Sequence, residues 1–173
     1  MSHSYDVLVI GGGPAGMMAA GQAAKMGAGV LLVDKNTRCG RKLALTGKGR
    51  CNVTNDCDIQ TFLKHLPQNG KFLYSALCQF SPKDTMAFFE GLGVPLKGEE
   101  NGRVFPASDK AMDIVEAMRQ FAFGRAAFQT GRADALIIAT GGLSYPVTGS
   151  TGDGYQLARS AGHTIVPPRA SLV

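Results

Sequence analysis

Three glycines near the amino terminus, Gly11, Gly13 and Gly16, stand in G-x-G-x-x-G spacing, and Asp34 follows the last of them by 18 residues. These residue types at these intervals can hold two phosphates and a sugar. Gly11 permits a sharp exit from a strand, Gly13 lets the backbone approach a diphosphate, and Gly16 lets a helix pack tightly on a sheet. Pro14 and Ala15 occupy the start of that helix, where unpaired N–H groups and a partial positive charge favour an anion. Proline costs nothing there, because its missing N–H would have been unpaired. Asp34 can accept two hydrogen bonds from ribose hydroxyls and would repel a 2′-phosphate.

Such groups act only if regular elements hold them. Residues 7–10 form a short apolar run that leads into the glycine turn. Ala19, Ala20, Ala23 and Ala24 continue a small helix face, and Gly27 supplies a left-handed cap. A second apolar run, 30–33, ends at the acid. Strand, turn, helix, strand and carboxylate within about thirty residues is the βαβ unit of dinucleotide binding.

Further along, residues 35–55 read as an irregular loop, rich in glycine and carrying Arg38, Arg41, Lys42, Lys48 and Arg50. Residues 60–80 read as helical, interrupted at Pro67 and Gly70. Ser81, Pro82 and Asp84 give a helix start. Residues 94–106 read as a hairpin turned at Asn101-Gly102. Ser108 is placed as the cap of a helix whose apolar face holds Met112, Val115, Met118 and Ala122. Residues 135–139, ALIIA, have the character of a buried strand, with a second glycine-rich loop at 149–154, a helix at 155–161 and a last strand at 164–166. The pattern predicts an α/β fold: a Rossmann-like three-layer domain with a mainly parallel sheet and a small hairpin excursion.

The chain has 173 residues, 45% of them hydrophobic and 18% charged, which suits one globular domain spanning 1–173. The net charge of +5 is concentrated in the 35–55 loop without interleaved aromatics, so a cofactor diphosphate accounts for it better than nucleic acid. No apolar run is long enough to span a bilayer, and a soluble, cytoplasmic protein is expected. Cys39, Cys51, Cys57 and Cys78 fit no zinc or redox spacing, and reduced thiols are expected. His3, His65 and His163 are scattered, and no metal is expected.

Three longer motifs carry a resemblance. They are GRKLALTGKGRCNVTN at 40–55, GRVFPASDKA at 102–111 and ATGGLSYPVTGSTGDGY at 139–155. With the βαβ unit they resemble the bacterial flavoproteins of the BaiN/YhiN type, a family of FAD-dependent oxidoreductases, some tied to bile-acid reduction. The pairing of ATGG with TGDG is also similar to the flavoprotein subunit of succinate dehydrogenase and fumarate reductase. The resemblance implies FAD as cofactor, with Gly11, Gly13, Pro14, Ala15 and Gly16 around the pyrophosphate and Asp34 on the adenosine ribose. Lys35, directly after the acid, is counted with the cofactor-binding set. Lys42, Gly47, Arg50, Cys51 and Asn52 are implied at the diphosphate and ribityl-flavin region. Ala139, Thr140 and Gly141 are implied along the cofactor through their backbone, and Asp153 in contact with it.

Read on their own chemistry, Arg41 and Lys48 also fit plain solvated charge, Cys51 a small buried thiol, and Asp153 the N-cap of the following helix. The resemblance further implies a small-molecule substrate and NAD(P)H as electron donor. No catalytic acid or base stands out. Two departures separate the chain from the family pattern. The stretch between the helix after GRVFP and the ATGG strand is shortened to residues 119–134, which suggests a junction or deletion near 120–134. The family's substrate domain also has no counterpart here. A minimal or truncated FAD-binding module with little or no catalysis is therefore the alternative to a complete oxidoreductase.

Gly13→Val is expected to abolish cofactor retention. The flavin-to-protein ratio of the purified variant checks this, and wild-type loading would count against the role given to Gly13.

Overall fold

A computed structural model describes residues 3–123 and 131–169. In chain order the regular elements are β1 (His3–Ile10), α1 (Pro14–Lys25), β2 (Val30–Val33), α2 (Arg41–Leu45), a 3₁₀ turn (Thr46–Gly49), β3 (Thr54–Asn55) and α3 (Ile59–Lys64). A second 3₁₀ turn (Gly70–Leu73) leads to α4 (Tyr74–Gln79), α5 (Pro82–Gly91), β4 (Leu96–Gly98), β5 (Arg103–Pro106) and α6 (Ala111–Phe123). Then come β6 (Gly131–Ile138), a third 3₁₀ turn (Pro146–Thr148) and α7 (Asp153–Ser160). The chain groups into two compact units, Met1–Ala44 with Met118–Pro167, and Leu45–Ala117 with Pro168–Val173. The junction read near 120–134 falls largely on residues 124–130, outside the described residues.

The first unit is built on a parallel sheet of order β2-β1-β6. Ile10 lies opposite Val33 on one side and Ile138 on the other, so all three strands end level. Backbone bonds extend this alignment past the strand ends: Gly11 N–H donates to the Val33 carbonyl and Ala139 N–H to the Ile10 carbonyl, both at 2.8 Å. In open parallel sheets the carboxyl ends of the strands are where ligands bind. Val9, Met17, Ala20 and Leu32 form the core and are essentially inaccessible. The small helix face read from the alanines is what allows α1 to lie this close to the sheet. Gly21 extends it, because a Cβ there would overlap the Phe121 ring of α6.

The second unit carries an antiparallel sheet of order β3-β5-β4. The predicted hairpin is present, with Leu96 opposite Pro106 and Gly98 opposite Val104. Gly102 N–H closes the turn on the Glu99 carbonyl. The predicted start of α5 is a reciprocal capping box: Ser81 Oγ accepts from Asp84 N–H, and the Asp84 carboxylate accepts from Ser81 N–H.

Several expectations change. The 35–55 loop contains α2, a 3₁₀ turn and β3. Its Arg-Lys-Leu-Ala-Leu core consists of good helix formers flanked by glycines that hid them. The 60–80 stretch breaks where predicted, but Phe72 is 85% exposed, so its apolar positions are not core. On α6 the buried stripe is Ala111, Ile114, Val115, Met118 and Ala122, and Met112 lies one position off it, exposed. Ser108 sits ahead of α6 rather than capping it directly: its hydroxyl accepts from Lys110 N–H and donates to Asp113. β6 is an edge of its sheet among the described residues, leaving Leu136 and Ile137 exposed rather than buried. Residues 164–166 form no strand, and no described strand lies beside them to share their N–H and carbonyl groups. α7 begins at Asp153 with Gly152 at the N-cap, so Asp153 is not the cap.

Ser81→Ala should destabilise the fold by about 1 kcal/mol, the usual cost of losing an N-cap, as read by chemical denaturation. Hydrogen bonds from Ser81 hold the Asp84 carboxyl below its ordinary range. A depressed folded pKa means that the cap's contribution is present above the unfolded pKa and is lost as pH falls through the folded one. The Ser81→Ala penalty should therefore shrink in acid, and a penalty independent of pH would contradict the capping box.

Candidate functional site: a cleft at the strand ends

The level strand ends of the first unit open into a cleft of about 560 Å³, within the roughly 300–1,000 Å³ typical of small-molecule sites. Its walls come from the glycine turn (10–15), the β2 exit (Asp34, Lys35, Asn36, Arg38), the start of α2 (40–42), the β6 exit (139–141) and the loop into α7 (148–150, Asp153, Leu157).

The turn is shaped by contacts that tolerate no side chain. Gly11 has φ +112°, and a Cβ there would strike the Ala139 carbonyl. At Gly16 a Cβ would sit 1.7 Å from the Gly11 carbonyl oxygen, so α1 reaches the strand end only because that position is bare. Gly13 differs: a Cβ there meets nothing within 4 Å. No packing explains the glycine at 13, and the open space beside it belongs to the cleft. The first internal hydrogen bond of α1 runs from Met17 N–H to the Gly13 carbonyl, so the amide hydrogens before Met17 have no acceptor within the helix. Together with Lys35, Arg38, Arg41 and Lys42, which line the cleft beside only two carboxylates, Asp34 and Asp153, they make it a site for an anion.

Asp34 lines the cleft, but much of its accepting capacity is already used. Its Oδ2 accepts from Gly12 N–H (2.6 Å), and its Oδ1 accepts from Asn36 N–H (2.6 Å) and Asn36 Nδ2 (2.9 Å). The carboxylate therefore ties the glycine turn to the β2 exit and offers a ligand fewer lone pairs than the sequence alone suggests. Lys35 Nζ pairs with Asp153 (2.5 Å) and reaches the Thr151 hydroxyl. That contact, with the Thr151 hydroxyl, holds the Asp153 carboxyl below its ordinary range. Lys42 Nζ donates to Ser150 Oγ (2.6 Å) and Ser144 Oγ (3.3 Å), fixing the 144–150 loop. Arg41 donates to Asn36, so it is not plain solvated charge. Arg38 is exposed and makes no ion pair or hydrogen bond among the described residues, leaving its guanidinium free for a ligand. Beside the turn, burial and the Asp34 charge push the Cys39 thiol up, which keeps it protonated at neutral pH.

Of the residues read from sequence, Gly11, Gly13, Pro14, Ala15, Asp34, Lys35, Lys42, Ala139, Thr140, Gly141 and Asp153 converge on this cleft. Gly16 shapes it from behind. Gly47, Arg50, Cys51 and Asn52 belong to the second unit and do not line it. There the Arg50 guanidinium pairs with Glu99 (2.7 Å) and lies 4.0 Å over the Phe105 ring. Cys51 is fully buried with φ +62°, and burial raises its thiol pKa, in keeping with a small core thiol. Sequence reasoning missed Gly12, Asn36, Thr148 and Ser150. For Asn36 a signal existed, since an aspartate side chain readily accepts from the backbone N–H two residues on, an Asx turn that brings residue 36 to the Asp34 carboxylate.

The family described as HI0933-like protein Rossmann domain matches residues 5–124. Among curated proteins, a ribosomal RNA dihydrouridine synthase of Haemophilus influenzae is 32% identical over 100% of this chain and 49% of its own length. A 3-dehydro-bile acid delta(4,6)-reductase of Clostridium scindens is 35% identical over 95% of this chain and 46% of its own. The chain thus spans about half the length of these curated relatives. Among solved structures, the open conformation of a flavocytochrome c3 fumarate reductase superposes with a TM-score of 0.69 at 20% identity, covering 92% of this chain and 40% of that one. A 3-ketosteroid-delta4-(5alpha)-dehydrogenase of Rhodococcus jostii gives 0.60 at 18%, covering 83% and 47%. At those identities the likeness shows the fold. The family match decides the rest: the chain belongs to the HI0933-like family and is an FAD-binding Rossmann domain of the flavoprotein class.

Proposed function

We propose that this chain is the cofactor-holding part of a flavin-dependent reductase. In this reading the cleft takes the dinucleotide of FAD: the turn from Gly11 to Ala15 and the start of α1 hold the pyrophosphate, and Asp34 holds the adenosine ribose through the lone pair left on Oδ2. Arg38 supplies a free cation, and Lys42 keeps the opposite loop in place. The backbone of Ala139, Thr140 and Gly141 borders the cofactor, and Lys35 with Asp153 closes one side. The observation that carries the reading is Gly13, a position where the fold has room for a side chain and the sequence has none. When bound, FAD supplies the hydride or electron transfer, and the chain's residues bind and orient it.

For the whole protein we propose NAD(P)H as the electron donor and reduction of a carbon–carbon double bond as the reaction. The relatives' names support the reduction, one specifying dihydrouridine in ribosomal RNA and the other a delta(4,6) bile acid. RNA, set aside on composition, thereby returns as a substrate class beside small molecules. The chain spans about half the relatives' length, so the reaction is proposed for the whole protein and the holding of FAD for these 173 residues, which carry every wall of the cleft. Four unpaired cysteines among the described residues support a reducing, cytoplasmic setting. No helix among the described residues is long and apolar enough to cross a membrane.

Two glycine variants separate binding from folding. Gly13→Val should still fold, with only the small drop in ligand-free melting temperature expected of a poorer N-cap residue, and lose FAD binding by at least about a hundredfold, measured by titration followed in the flavin absorbance. Gly16→Val should fail to fold, because its side chain would enter the Gly11 carbonyl. A Gly13→Val chain that binds FAD normally would sink the proposal. Arg38→Met should weaken FAD binding about tenfold and flatten its dependence on salt, as loss of a cation near phosphate does.

A further inference from the structure

Asn36 is half-buried in the cleft wall, and its side chain touches three of the segments that build the site. Its Nδ2 donates to Asp34 Oδ1 (2.9 Å) and to the Thr148 carbonyl (3.3 Å), and its Oδ1 accepts from Arg41 Nη1 (2.7 Å). Its backbone N–H gives a second bond to Asp34 Oδ1. Both donors and the acceptor of one amide are thus spent on the β2 exit, the start of α2 and the loop before α7. The loop leaves room for this: a Cβ at Gly149 would lie 2.5 Å from Asn36 Nδ2, and Gly149 itself holds φ +99°.

The chemistry asks for an amide at this position. A carboxylate could not donate to Asp34 and would repel it, and an apolar side chain would leave Asp34 Oδ1 with a single donor. With two donors on Oδ1 and Gly12 N–H on Oδ2, the Asp34 carboxylate is held in one orientation, and Oδ2 is the oxygen with accepting capacity left.

Resting on the reading that the cleft takes FAD, we propose that Asn36 is a positioning residue for nucleotide binding: it orients Asp34 toward the sugar and pins the 148–150 loop that forms the facing wall. It acts through Asp34 and needs no contact with the cofactor.

The test is a double-mutant cycle on the 173-residue chain, with dissociation constants for FAD and for ADP. Asn36→Leu should weaken both ligands by about tenfold, the effect of one hydrogen bond to a charged group. Asn36→Ser should recover part of the loss, because a hydroxyl there can still donate to Asp34. In an Asp34→Ala background, Asn36→Leu should add less than about threefold, because the two side chains act as one unit. Ligand-free melting temperatures report folding, and if the Leu variant does not fold, Asn36→Ala carries the same cycle. Wild-type affinity in Asn36→Leu, no recovery with Ser, or an undiminished penalty without Asp34 would overturn the role given to Asn36 while leaving the FAD reading intact. Failure of the wild-type chain to bind either ligand, or binding untouched by Gly13→Val, would overturn both.

Discussion

The approach of α1 to the end of β1 is the constraint on which the cleft and the cofactor site proposed in it depend. A helix N-terminus attracts an anion only within its first turn, so the helix has to begin right at the strand end. That requires backbone against backbone, and Gly16 over the Gly11 carbonyl provides it. The parallel register then does the rest. With Ile10, Val33 and Ile138 level, the turn after β1, the acid after β2 and the backbone after β6 all reach the same opening.

Once that opening exists, its polar groups hold one another in place. Asp34 holds Gly12, Asn36 holds Asp34, Lys42 holds the 144–150 loop, and Lys35 holds Asp153. Donors and acceptors fixed in this way lose little freedom on binding, which is how preorganisation raises affinity without new contacts. The exposed pairs among them, such as Lys35–Asp153, contribute little to stability because water screens them. Their effect is on shape: they keep the cleft walls in place.

The βαβ unit was legible because each of its signals is local. The period of the apolar runs, the glycine spacing and the position of Asp34 all lie within one short stretch, and the capping box at Ser81 and the turn at Gly102 are equally local. Burial was read less well. Leu136, Ile137 and Met112 look like core in sequence and are exposed, because burial depends on what lies beside an element. α2 went unseen because a helix of five residues is too short for its period to be detected.

The sequence by itself determined the opening βαβ unit and its dinucleotide-binding type, since the glycine spacing, the two apolar runs and the carboxylate after the second lie within one short stretch. Tertiary structure alone decided which distant residues share the cleft. Ser150 meets Lys42 across 108 positions, and Thr151 meets Lys35 across 116. It also decided that Asp34 is already committed to Gly12 and Asn36. The physical reason is that hydrogen bonds between side chains depend on distances of about 3 Å in space, and linear spacing carries no record of them once the chain has turned back on itself.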